Sequence, residues 1–246
     1  MLMAERSRLD KTLVERGLVE SRQRAAALIL AGNVRVDGRK ALKAGQRVAP
    51  DAAVEVLENG DTYVSRGGVK LAAALDELSF QVAGFKAMDV GASTGGFTHC
   101  LLRRGARLVY AIDVGYGQLA WKLRQDPRVV VLERCNVRHL THEQIPELVD
   151  LAVIDTSFIS LRKVIPRVLE FVKVGGRLVA LIKPQFEVGR EQVGKGGVVR
   201  DPELHRRVVN DLTFFCRIQG LEVERVVESV LLGPKGNREF FISALK

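Results

Sequence analysis

Residues 87–102, AMDVGASTGGFTHCLL, set Gly91, Gly95 and Gly96 between an apolar run, FKAMDV, and a periodic apolar segment. This order predicts a strand, a tight loop and a helix, with backbone N–H groups of the loop turned toward a ligand. What the loop lacks narrows the chemistry. A P-loop needs a lysine and a hydroxyl residue after its last glycine, but Gly96 is followed by Phe97 and Thr98, which argues against ATP or GTP hydrolysis. A dinucleotide fingerprint needs a second glycine where this loop has Ser93, which weakens NAD binding without removing it.

The elements that must position this loop are strands and helices in alternation from Lys70 onward, the order of a mostly parallel sheet covered on both faces. Strands are expected at FKAMDV, RLVYAID, RVVVLE, DLAVID and GRLVALIK, with LEVERVVESV and EFFISALK as a closing pair. Helices are expected at 95–104, 117–125, 160–172 and 203–219. Ligands of such sheets gather at the carboxyl ends of the strands, so the strand-closing residues Asp89, Asp113, Asn136, Asp155 and Lys183 form one constellation. Asp113 follows the glycine loop by about twenty residues, the place of a carboxylate that accepts from both ribose hydroxyls. An adenosine-containing cofactor fits, and Asp113 alone does not separate NAD from S-adenosylmethionine. The plainer alternatives are a helix N-cap for Asp113 and a turn residue for Asn136. Residues 184–202 are too polar and glycine-rich for a regular element, and a loop of that length beside a strand end is functional or mobile.

The N-terminal part reads differently. Leu9, Leu13 and Val14 are spaced for a short helix ended by Gly17; Ser21 offers an N-cap for a second helix through Ala31, stopped by Gly32. NVRVDGRK then alternates into an Asp37-Gly38 hairpin turn. The chain carries a net charge of +9. Much of it is local: Arg22, Arg24, Arg35, Arg39, Lys40, Lys43 and Arg47 stand against Asp37 alone between 22 and 47, as a polyanion-binding surface requires. Cys100, Cys135 and Cys216 are odd in number and widely spaced, and the four histidines show no ligand spacing, so neither disulfide, zinc site nor other metal is expected. No apolar run approaches the length that spans a bilayer, and the start, MLMAERSRLDKTL, lacks a secretory apolar region, so a cytoplasmic location without membrane contact is expected.

Two resemblances then add to these readings. RLDKTLVERGLVESRQRAAALILAGNVRVDGR resembles the RNA-binding domain named after ribosomal protein S-four, which implies structured RNA as partner and, as contacts, Arg22, Arg24, Arg35 and Lys40; Arg8 and Arg66 are expected as further RNA contacts. DVGASTGGF resembles the first motif of S-adenosylmethionine-dependent methyltransferases. With SRGGVKL, Asp155, IKPQFE and NREFF, it resembles the FtsJ-like ribose methyltransferases and their lysine, aspartate, lysine, glutamate set, here Lys70, Asp155, Lys183 and Glu239. DVGYGQLAW, DTSFISL, KPQFEVG and GGVVRDP bring the likeness nearest to the TlyA family, often called hemolysins. One departure is the connecting GDTYVSR, which lacks a tryptophan found in one branch of that family.

The resemblance implies an α/β fold, a Rossmann-like methyltransferase sheet preceded by a small α+β RNA-binding domain. The boundaries expected are 1–60, a linker at 61–69, and 70–246. It implies S-adenosylmethionine held by Asp89, Gly91, Ala92, Ser93, Thr94, Gly95, Gly96, Phe97, Asp113, Val114, Asn136 and Asp155, and 2'-O-methylation of cytidine in ribosomal RNA or ribosomal subunits. Lys183 is expected to act as general base, its pKa lowered by Lys70 and partial desolvation, with Asp155 and Glu239 orienting the lysines. Stacking on Phe97, Trp121, Phe158 or Phe186 is weighed against core packing for Phe97 and Trp121. Arg162, Lys163, Arg190, Lys195 and Arg200 would extend a basic surface, or be solvated charge. Competing readings are a non-catalytic RNA binder, opposed by the intact tetrad; a membrane-lytic protein, for which no segment is apt; a pseudouridine synthase, whose antiparallel catalytic domain disagrees with residues 85–183; and an oxidoreductase.

Overall fold

The computed structural model describes residues 6–19, 21–56 and 63–246. The chain forms two compact units, Met1–Thr62 and Tyr63–Lys246.

In the first unit, β1 (Ser7–Arg8) leads into α1 (Leu9–Glu15) and α2 (Arg22–Ala31). Helix α2 starts and stops where its caps dictate: the Ser21 hydroxyl accepts the Arg24 N–H at 3.2 Å, and Gly32 takes the left-handed conformation that ends it. The hairpin of β2 (Val34–Val36) and β3 (Arg39–Lys40) turns through Asp37 and Gly38, whose φ values are 50° and 73°. Strand β4 (Arg47–Val48) pairs with β1, and β5 (Val54–Val56) with β2. Leu9, Leu13, Ala25, Ile29, Val34 and Val48 close the small core.

The second unit runs α3 (Arg66–Glu77), β6 (Lys86–Val90), α4 (Gly96–Arg103), β7 (Leu108–Ile112), α5 (Trp121–Arg124), β8 (Val129–Leu132), β9 (Val149–Ile154), α6 (Ile165–Leu169), β10 (Val172–Ile182), α7 (Pro202–Ile218), β11 (Glu222–Glu228) and β12 (Phe240–Leu245). The seven strands lie in the order β11-β12-β10-β9-β6-β7-β8. Six run in one direction, and β12 alone runs antiparallel, between β10 and β11. Both faces are buried: Met88, Val90 and Ile112 face one core cluster while Ala87, Val109 and Ala111 face the other. This is the expected α/β class and strand order along the chain.

Several elements differ from expectation. Residues 63–69 lie in the second unit, and α3 begins at Arg66, so the stretch expected as linker at 61–69 is helical in its last part; residues 57–62, with the boundary expected at 60, lie outside the described residues. Gly67 and Gly68 hid this helix from propensity, and close packing explains the second: a Cβ on Gly68 would lie 2.3 Å from the Tyr63 side chain and 2.8 Å from the Gly96 carbonyl. The helix expected at 117–125 shrinks to four residues behind Gly115 and Gly117. The one expected at 160–172 splits into a turn at 161–163 and α6, where Pro166 sits in the first turn. Residues 184–202 hold two short turns, 184–186 and 190–192, and a bridge between Gly194 and Val198.

Candidate active site

The chain crosses from one side of β6 to the other between β8 and β9, which opens a crevice at the carboxyl ends of β6 and β9. The glycine loop fills its floor. Gly91 has φ 88°, and a Cβ there would stand 2.6 Å from the Asp155 carbonyl, so only glycine lets the loop after β6 lie against the end of β9. Gly95 has φ 92° and a Cβ there would meet Leu123 at 2.3 Å. Ser93, where a dinucleotide loop has glycine, is itself left-handed at φ 48°, and its N–H donates to Asp113 Oδ2 at 2.8 Å. The other Asp113 oxygen accepts the Gly115 N–H at 2.7 Å, so this carboxylate ties two loops together at the crevice rim. Its remaining lone pairs are available to hydroxyl donors.

Asp89 is fully buried below the loop. Thr98 donates to its Oδ2 through backbone N–H (2.8 Å) and hydroxyl (2.7 Å), while Oδ1 is enclosed without a partner. Burial pushes the Asp89 carboxyl up to about 7, against the Thr98 hydroxyl bond that holds it down, and the nearby Asp155 charge adds to the rise. A buried, orphaned carboxylate oxygen beneath a glycine cradle suits a ligand that brings a cationic or hydroxyl donor.

On the other side of the crevice, strand register gathers four charged side chains. Ile182 pairs with Phe240 across the β10–β12 ladder, so Lys183 and Glu239 are the next facing positions, and Asp155 follows β9 beside β10. Lys70, from the second turn of α3, completes the group. The four form two ion pairs. Lys70 Nζ donates to Glu239 Oε2 at 2.6 Å with both side chains buried. Lys183 Nζ lies 2.6 Å from Asp155 Oδ1, off the hydrogen-bond direction, and donates to Ser157 Oγ at 3.0 Å. Ser157 was missed from sequence, although it sits two residues after Asp155 in DTSF. Thr98 was missed too. The KPQFE segment is anchored by its glutamate: Glu187 accepts the Ser160 hydroxyl at 2.6 Å and the Leu161 N–H at 2.8 Å.

Other expected residues sort as follows. Gly96 starts α4, Ala92 is buried, and Thr94 accepts the Ala120 N–H through its carbonyl at 3.2 Å. Phe97 turns into the core and packs on Phe241. Trp121 is instead 71% exposed, against the core-packing alternative. Asn136 caps the turn at 137–139 by accepting the Arg138 N–H at 3.1 Å, while Val114 is exposed. Phe158 is 90% exposed, held at φ 63° beside Phe186, with ring centroids 5.1 Å apart. Arg66 donates to the Leu232 carbonyl at 2.7 Å. In the first unit, Arg8 and Arg22 converge on buried Asp10 at 3.0 and 2.9 Å, and Arg8's hydrogen bonds hold that carboxyl far below the usual range. Arg24, Arg35 and Lys40 are exposed. A recess of about 270 Å³ lined by Phe80, Phe85, Lys173 and Arg177 lies toward the amino ends of β6 and β10, away from this chemistry.

The family model described as FtsJ-like methyltransferase matches residues 63–246, and that of the S4 domain matches residues 7–54. The chain is 52% identical over 241 residues to the 16S/23S rRNA (cytidine-2'-O)-methyltransferase TlyA of Mycobacterium tuberculosis, covering 98% of this chain and 90% of that protein. It is 41% identical to Hemolysin A of Brachyspira hyodysenteriae, covering 95% and 97%. A solved structure from Streptococcus thermophilus, named a hemolysin, superposes with a TM-score of 0.77 at 39% identity over 99% of this chain and 89% of the other. No helix among the described residues is long and apolar enough to cross a membrane.

Proposed function

The chain belongs to the FtsJ-like methyltransferase family, and from that premise we propose that it methylates the ribose 2'-hydroxyl of cytidine in ribosomal RNA, docking the RNA through its S4 domain. The observation that carries this reading is the pairing of Lys70 with Glu239 and Lys183 with Asp155 at the carboxyl ends of the strands, beside the glycine loop. S-adenosylmethionine supplies a methyl already activated by its sulfonium charge. The Gly91–Gly96 loop, packed tightly against Asp155 and Leu123, sets its backbone at the crevice floor to hold it, Asp113 accepts hydroxyls, and Asp89 offers its unpartnered oxygen.

The remaining difficulty belongs to the nucleophile. A ribose hydroxyl is a weak one, so the protein must hold it in line and take its proton. Lys183 is the base: it sits at the crevice, half held by Ser157, and the ammonium formed when it takes the proton is neutralised by Asp155. Lys70 is too buried in its bond to Glu239 to move freely; it fixes the Glu239 turn against α3. Phe158, exposed on a strained backbone two residues after Thr156 and paired with Phe186, offers the target nucleotide a stacking face. Arg24, Arg35 and Lys40 contact phosphates; Arg8 and Arg22 share Asp10 and contribute through the field of that cluster.

The test is transfer of labelled methyl from S-adenosylmethionine to unmodified ribosomal subunits, followed by mapping of ribose methylation. Label on cytidine 2'-oxygens supports the reading. Cofactor binding without label in any subunit favours a non-catalytic RNA binder.

A further inference from the structure

Asn237 is 3% exposed, and its amide is spent between two loops. Oδ1 accepts the Val199 N–H at 2.9 Å, and Nδ2 donates to the Gly197 carbonyl at 2.9 Å. Its own carbonyl accepts the Gly233 N–H at 2.8 Å, closing the turn that reaches Glu239 two residues later. The far loop is folded for this contact by the Gly194–Val198 bridge and by left-handed Gly196 and Gly197. His205 of α7 meets the Val199 carbonyl at 3.0 Å and closes its other side. Lys235 lies across the loop, its Nζ 3.4 Å from where a Cβ on Gly197 would stand. Lys195, in the loop, and Lys235, in the turn, are both exposed, and neither forms an ion pair among the described residues.

The asparagine amide presents a donor and an acceptor on separate atoms of one side-chain end, and a buried amide with both satisfied fixes the two stretches of chain it joins. We propose that Asn237 is a positioning residue that locks the Lys195 loop onto the Glu239 turn, so that Lys195 and Lys235 form a phosphate-contacting edge next to the methyl-transfer site. This rests on the RNA reading above. The edge positions RNA without reading its bases, because point charges of this kind recognise the backbone. It also explains why the 19-residue polar loop at 184–202 is pinned at its glycine-rich tip: cations on an untethered loop would lose much of their contact energy to ordering it.

The experiment compares full-length wild type, Lys195→Glu/Lys235→Glu and Asn237→Asp, measuring RNA KM, kcat, S-adenosylmethionine affinity and the salt dependence of RNA binding. The charge-reversed protein alters exposed side chains only, so its folding is not at issue. Its RNA KM is expected to rise about tenfold, with kcat and cofactor affinity kept and the log–log salt slope shallower by about one to two. Asn237→Asp keeps the acceptor for Val199 but sets a carboxylate against the Gly197 carbonyl, and is expected to raise RNA KM and lower kcat about tenfold each, again with cofactor affinity kept. An unchanged KM and salt slope in the charge-reversed protein, while the wild type labels RNA, overturns this inference alone. Loss of cofactor binding in Asn237→Asp with RNA KM unmoved also overturns it. Absence of label in any RNA from the wild type removes the RNA reading and this inference with it.

Discussion

The two units hold charge in opposite ways. At the crevice of the second unit, Lys70 and Glu239 are buried and bonded at 2.6 Å, and Lys183 meets Asp155 at the same separation. In the first unit, Arg24, Arg35, Arg39, Lys40 and Lys43 are exposed, and Asp10 is the one buried acid among the described residues, shared by two arginines. Buried pairs give precise placement at a desolvation cost; exposed cations give a long-range, salt-sensitive attraction and little geometry. On the proposed function, chemistry belongs to the first arrangement and docking to the second.

That contrast can be broken most sharply at Lys183. Lys183→Ala is expected to lower turnover by about a hundredfold to ten-thousandfold while leaving cofactor and RNA affinity in place, the signature of a lost base. Lys70→Met should act differently, since it strands Glu239 as a buried unpaired charge. A loss of about 3–5 kcal/mol in unfolding stability is expected, recovered in part by Lys70→Met/Glu239→Leu, as chemical denaturation would reveal. If Lys70→Met stays as stable as wild type, the pair is less enclosed than its geometry indicates.

Reversing Arg24 and Arg35 to Glu should cost about tenfold in RNA affinity at low salt, with the difference shrinking as salt rises and cofactor affinity unmoved. Arg22→Glu is a poorer probe because it also removes a partner of Asp10.

The smallest effects are in pH. Asp89 has a raised folded pKa, about 7 against an ordinary 3.8, so the native state keeps a proton that the unfolded chain has released, and stability of the second unit falls as pH rises from about 4 to about 7. Asp89→Asn should flatten that slope. Asp10 is the opposite case: its lowered pKa contributes stability above the ordinary carboxylate range, lost as pH falls below it. Hydrogen exchange followed separately in the two units should therefore show the second losing stability as pH rises from about 4 to about 7, and the first losing it only as pH falls below the ordinary carboxylate range.

Local signals were legible where the local chain decides the outcome. Ser21 and Gly32 bounded α2, Asp37-Gly38 made its hairpin turn, and Gly91 and Gly95 took the left-handed angles that their loop demands. The constellation at the strand ends was legible too, because parallel strands deliver their closing residues to one edge. What failed depends on contacts remote in sequence. The start of α3 was hidden by Gly67 and Gly68, and the reason for Gly68 is the approach of Tyr63 and Gly96. Pairing within the tetrad follows from the Ile182–Phe240 register, which no spacing encodes. The same holds for Asn237, 38 residues from Val199 and bonded to it.

The division of labour is tested most directly by single-turnover methyl transfer and RNA binding measured on the same preparations of wild type, Lys183→Ala and Arg24→Glu/Arg35→Glu. Bound but unmethylated RNA with Lys183→Ala, and weak binding with a near-normal rate at saturating RNA for the arginine variant, is the result predicted. Methylation by Lys183→Ala at the wild-type rate, or equal losses of binding and rate in both variants, would contradict it.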